Sequence, residues 1–182
     1  MIPAGYMLKK VVSRPEWLSA SGVKDLYSVS GCFSTYFSNY VNHWRHNGYW
    51  FFNQPSDMEE ILNKEGADRS GLTLFYYEVY EEEFGEDAKV WSPFAPDGSF
   101  VTHVEKPKSS RLQGYDVTTF SAGTSPECSP PSCNSVAGDI QTNEHCLLET
   151  LDDAKAALEG GRFNDCEPGP FRIFAVYVVD VD

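Results

Sequence analysis

Positive charge, long apolar runs and the familiar nucleotide-binding signatures are all scarce in this 182-residue chain. Fourteen Lys and Arg stand against 27 Asp and Glu, for a net charge of −13. A surface that negative repels phosphate backbones and anionic lipid, which argues against nucleic acid and membrane as partners. No apolar stretch approaches the roughly 18 residues that a membrane-spanning helix needs; the longest are strand-like pieces such as 173–179. The first ten residues lack a basic region followed by an apolar core and a small-residue cleavage site, so a secretory leader is not expected. Neither G-x-x-x-x-G-K nor G-x-G-x-x-G occurs, nor H-E-x-x-H, G-x-S-x-G or an EF-hand loop. Common NTPase, dinucleotide and zinc-protease chemistries are thereby disfavoured, and no cofactor is expected. Cysteines number five, an odd count, and no Asn-x-Ser/Thr acceptor accompanies them. That is not the pattern of an extracellular disulfide scaffold. The expectation is a cytoplasmic protein with reduced thiols.

What is present suffices for a core: 41% of residues are hydrophobic and 14% aromatic, enough for a single globular domain over residues 1–182. Residues 25–30 read as a strand. Phe33, Tyr36, Phe37, Tyr40, Val41 and Trp44 then share one face of a helix. A short strand at 49–52 follows, then a second helix with Ser56 and Glu59 as a capping pair and Met58, Ile61 and Leu62 on its apolar face, ending before Gly66. Residues 72–81 complete the unit as a buried strand. A similar order recurs later: a strand at 115–120, a helix carrying Cys133, Val136, Ala137 and Ile140, a short strand at 145–148, a helix carrying Ala154, Ala157 and Leu158, and a strand at 171–181. These patterns predict an α+β fold made of two tandem β-α-β-α-β pseudo-repeats, about 25–84 and 114–182, joined by a bridge at 85–113. The expected sheet is mixed or antiparallel, with helices covering it.

The two units differ most at residues 122–131, inserted between strand and helix in the second unit only. A loop anchored on a rigid junction is where sites tend to be built. It carries Cys128, and His145 is the nearby histidine that could serve a thiolate as base, so Cys128 and His145 are the candidate catalytic pair. Cys133 lies on the apolar stripe at the position that Phe33 holds in the first unit, which favours packing. Cys128-x4-Cys133 with His145, Cys146 and Cys166 also offers soft ligands to a metal. The spacing matches no paired C-x2-C knuckle and Cys146 lies among apolar residues, so no metal is expected. His43 and His46, an i, i+3 pair, read as a solvated face at a helix end, and the aromatic and amide run 39–53 as an amphipathic core helix. Acids concentrate at Glu78, Glu81, Glu82, Glu83, Glu86 and Asp87, a patch that suits a basic protein partner.

The blocks 26–32, 46–50, 127–130, 143–147 and 167–177 resemble a family of bacterial proteins without an assigned activity. That resemblance spans most of the chain and implies no catalytic residues. Size, acidity and the α+β pattern are similar in type to immunity proteins that block basic nuclease toxins. Two functions follow as expectations: a non-enzymatic, inhibitory protein that offers its acidic patch to a basic partner, or an enzyme or small-ligand protein with a Cys/His site at the 122–133 loop.

Overall fold

The computed structural model describes residues 1–33, 46–66, 68–120 and 126–180. It is an α+β protein built on one six-stranded sheet. The strands are β1 (Ile2–Lys10), β4 (Leu72–Val79), β5 (Glu82–Gly85), β6 (Val90–Pro93), β7 (Ser110–Thr119) and β8 (Phe171–Val179). A separate ribbon pairs β2 (Val12–Ser13) with β3 (Asp25–Leu26). Every described pairing is antiparallel. The sheet is organised by β8, which pairs along its length with β7 and on its other edge with β4 and then, at Phe171, with β5. Its sequence, FRIFAVYVV, is apolar at consecutive positions because both faces are covered. β1 flanks β4, and β6 forms a hairpin with β5.

Helix α1 (Pro55–Glu65) contributes Met58, Ile61 and Leu62 to a core that includes Phe51, Phe52, Phe75, Tyr77, Phe120 and Phe174. It starts at Pro55, two residues earlier than the capping pair suggests, and Gly66 closes it in the left-handed conformation. Helix α3 (Leu151–Glu159) begins with a true capping box between Thr150 and Asp153. It packs Ala154, Ala157 and Leu158 against Phe84, Val117, Phe171 and Ile173.

Two turns have the same construction. Asn47 Oδ1 accepts from the backbone N–H groups of Tyr49 (2.9 Å) and Phe51 (3.2 Å), and its Nδ2 donates to Ala4 O at 2.8 Å. Asn143 Oδ1 likewise accepts from His145 N (2.9 Å) and Leu147 N (3.1 Å), and its Nδ2 donates to Gln113 O at 2.6 Å. The third residue after each Asn takes a positive φ, 66° at Trp50 and 63° at Cys146. The turns then bridge to a strand, Phe52 to Tyr6 in β1 and Leu148 to Tyr115 in β7. At each crossing the strand bulges at a glycine, Gly5 or Gly114, with φ of 141° or 144°. A Cβ at Gly5 would lie 2.6 Å from Phe51 Cβ, and one at Gly114 would lie 2.7 Å from Leu148 O.

Among the described residues the elements do not follow the expected tandem β-α-β-α-β order. β1 and β7 each pair with a later strand and each take one Asn-centred turn, whereas residues 25–30 give only β3 and a loop. The expected strands at 49–52 and 145–148 are the Asn-centred turns. The expected helix at 33–44 lies outside the described residues beyond Phe33. Its counterpart is a single turn, α2 (Pro130–Cys133), followed by a 3₁₀ turn at Val136–Gly138, because Ser135 breaks the helix with φ of 61°.

Candidate functional site

The sulfurs of Cys32, Cys128 and Cys133 lie within 4.8 Å of one another. Two segments distant in sequence meet here, and each is fastened by a buried charge. Lys9, near the end of β1, is buried, and its ammonium donates to the carbonyls of Ser28, Val29 (3.0 Å) and Ser30 (2.7 Å). That gathers the loop leading into Cys32. Asp116, buried in β7, accepts from Val29 N at 2.7 Å and from Ser129 Oγ at 2.6 Å, tying the same loop to the segment that bears Cys128 and Cys133. Ser30 N donates to Ser129 Oγ at 3.2 Å, and the hydroxyls of Ser28 and Ser132 are 2.6 Å apart.

The thiols are positioned by backbone. Thr119 N donates to Cys128 O and Glu127 N to Thr119 O, which pins Cys128 to the end of β7. Pro130 and Pro131 favour the first turn of α2, where a missing N–H costs nothing. This turn places Cys133 Sγ 3.4 Å from Ser129 N, which donates to it. Cys32 Sγ reaches Glu127 O at 3.2 Å, and Cys128 Sγ reaches Asn134 Oδ1 at 3.2 Å. Cys32 is exposed, Cys133 half-buried and Cys128 buried.

The cluster shares its protons unequally. Hydrogen bonds from Cys128 and Cys133, then from Ser30, together with the charge on Lys9, hold the Cys32 thiol far below its ordinary value. Cys128 is driven far above it by its hydrogen bonds with Cys133 and Cys32 and by burial. For Cys133 the bond to Cys128 pulls downward, but the one to Cys32 and burial outweigh it and leave the thiol up at about 11. Burial pushes Lys9 down to about 8, although Asp116 and the thiols of Cys32 and Cys133 pull back. It also lifts Asp116 to about 6 against hydrogen bonds from Ser129 and Val29.

Cys128 is therefore in a cluster, but with two thiols and not with His145. The His145 ring stacks on Tyr27 with centroids 4.0 Å apart, and its Nδ1 lies 2.6 Å from Asp25 Oδ1. Cys146 is buried with Leu18, Val23, Leu26 and Ala137, as packing alone would have it, and Cys166 packs against the α3 core. The acidic run is divided. Glu78 is buried against the hydroxyls of Tyr76 and Tyr177 and 2.6 Å from Lys106 Nζ. Glu82 accepts from Tyr80, Glu83 pairs with Arg172 at 2.9 Å, and Glu86 accepts from Gly169 N. Glu81 and Asp87 are exposed. Sequence reasoning missed Lys9, Asp116 and Cys32 as site residues. For the first two there was a signal, a charge set among apolar neighbours inside a strand.

Three thiolates suit one soft or borderline ion. Sulfurs each about 2.3 Å from a shared zinc ion can be no more than about 4.6 Å apart, and the observed spread meets that to within a few tenths of an ångström. No protein-family model, curated protein or solved structure matches the chain, so its function has to be argued from this geometry.

Proposed function

We propose that the protein binds one thiophilic metal ion, of the zinc class, through Cys32, Cys128 and Cys133. The observation that carries this reading is the convergence of the three sulfurs from two separate segments. Zinc accepts thiolate ligands without redox or geometric demand, and three protein ligands leave its fourth position for another donor. Three thiolates around a divalent ion carry a net charge of −1, which the Lys9 ammonium, interacting with the charge of Cys32 and Cys133, would offset. Binding releases the thiol protons, so affinity should rise with pH. In this reading Asp116 and Ser129 are outer-sphere groups, fixing the ligand-bearing segments and leaving the ion to the sulfurs.

The same site gives the architecture a rationale. The chain is read as two copies of a strand, Asn-centred turn, helix and strand unit, β1 to β4 and β7 to β8. The thiol cluster forms where the loop after β3 meets the segment that follows β7. An acidic docking surface over Glu78 to Asp87 has less support, because Glu78, Glu83 and Glu86 are engaged within the protein.

Cobalt(II) is the test, since it occupies zinc sites and reports thiolate ligation by charge-transfer absorption. The reduced protein should bind one equivalent with that absorption, and zinc should displace it. Cys32→Ser, Cys128→Ser and Cys133→Ser should each lower affinity by about tenfold or more, while Cys166→Ser leaves it unchanged. Absence of the thiolate band, or equal binding by the three cluster variants, would refute the assignment.

A further inference from the structure

We infer that Cys32 is a site of oxidation by hydroperoxides, and that Cys128 or Cys133 resolves the oxidised sulfur into a disulfide joining the two segments. The inference deepens the metal reading, since it uses the same three sulfurs, but the chemistry does not need the ion.

The geometry assigns the roles. Cys32 is the exposed member and the one a solvent-borne oxidant meets first; Cys128 is buried and Cys133 half-buried behind it. Both lie within 4.8 Å of it, so a resolving thiol is already in place. A disulfide needs its sulfurs about 2.05 Å apart, and closing that gap calls for a side-chain rotation and a small loop adjustment. The Glu127 carbonyl, 3.2 Å from Cys32 Sγ, holds that sulfur against the segment that must attack it. Cys146 and Cys166 are outside the cluster and have no part.

In the first step the Cys32 thiolate attacks the terminal oxygen of the hydroperoxide. The O–O bond breaks, the leaving alkoxide takes a proton to become an alcohol (water, for hydrogen peroxide), and Cys32 becomes a sulfenic acid. The thiolate of Cys128 or Cys133 then attacks the Cys32 sulfur. The S–O bond breaks, hydroxide leaves and is protonated to water, and the S–S bond forms. Two thiols lose two electrons together, and one hydroperoxide is reduced to an alcohol and a water. Nearby resolving thiols divert the sulfenic acid from irreversible over-oxidation. The disulfide removes two of the three proposed metal ligands, so an ion bound there is expelled.

The experiment treats the full chain, reduced, with stoichiometric hydrogen peroxide, both metal-free and after loading with zinc. Thiols are then blocked, peptides mapped without reduction, and free zinc followed with a chromogenic chelator. The expected result is loss of two thiols per chain, an intramolecular link from Cys32 to Cys128 or Cys133, and zinc release in step with it. Cys32→Ser should lack that link and lose its remaining thiols about tenfold more slowly or less, with Cys166→Ser behaving as wild type. Conversion of Cys32 to sulfinic or sulfonic acid without a disulfide, a link between chains, or thiol loss in Cys32→Ser at the wild-type rate would each overturn the inference. The two readings fail separately. A disulfide in a protein that takes up no zinc leaves the oxidation site standing and removes the metal; zinc bound at one per chain with no disulfide does the reverse.

Discussion

Lys9 sets the character of the site at the scale of single residues. A buried ammonium is costly, and three carbonyls of one loop are what make it tolerable. Its lowered pKa has a consequence for stability. Between about 8 and 10.5 the unfolded chain still carries a proton on Lys9 that the folded chain has shed. The unfolded state therefore binds more protons there, and stability rises with pH across that window. Relative to Lys9→Met, the wild-type protein should gain up to roughly 3 kcal/mol between those limits. Chemical denaturation of both proteins at each end of the window measures this; equal slopes would mean that Lys9 is not buried as a charge. The comparison is needed because tyrosines with raised values, Tyr76 and Tyr77 among them, work in the opposite direction at the alkaline end.

Residues also show where sequence reading stops. Cys128 stood out as a candidate because it lies in a Pro- and Ser-rich loop between a strand and a helix. Cys32 did not: it is far from Cys128 along the chain, and nothing linear says that residues 9, 32, 116 and 128 meet. They meet because β1 and β7 each pair with a strand that follows them much later, and such pairing is not visible in local spacing. His145 was the natural partner by proximity in sequence, yet Asp25 and Tyr27 hold it.

Among the elements, the Asn47 and Asn143 turns depend most on a single side chain. Each side chain makes three hydrogen bonds to backbone and so replaces a stretch of ladder that the chain does not form. Asn143→Ala would leave two N–H groups and a carbonyl short of partners, a loss of about 2–4 kcal/mol. Asn143→Asp keeps the acceptors for His145 N and Leu147 N but turns an oxygen toward the Gln113 carbonyl, so it should recover only part of that loss. Gly114→Ala adds a methyl 2.7 Å from Leu148 O at a φ of 144°, so it should be at least as damaging as Asn143→Ala. Denaturation midpoints of the three variants give the ranking, and a neutral Gly114→Ala would contradict the bulge. Sequence patterning identified β4 and β8 because each is a nearly continuous apolar run, and α1 and α3 because each has a helical apolar period ended by glycine. It read the turns as strands because their residues are apolar and buried; only the positive φ at Trp50 and Cys146 separates the two, and side-chain type does not encode that at a Trp or a Cys.

Across the whole molecule the net charge of −13 acts as a self-repulsion that neutral salt screens. Because Glu78 and Glu83 are already paired with Lys106 and Arg172, the unpaired excess is spread over the surface. Raising sodium chloride from low to physiological strength should therefore raise the thermal midpoint, by a few degrees at most. A midpoint that falls with salt would show that internal ion pairs outweigh the repulsion.

The central position of β8 has a consequence for how the chain is made. β4 and β7 are adjacent to it in space but precede it in synthesis, and neither can complete its ladder until residues 171–179 have left the ribosome. Until then both present open edges, the condition under which nascent chains stick to one another or to chaperones. Completing the sheet thus depends on contacts between residues far apart in the chain, which cost loop-closure entropy before they stabilise anything. The thiol cluster shares this dependence, because Asp116, which ties its two segments together, lies in β7 and β7 is laddered to β8.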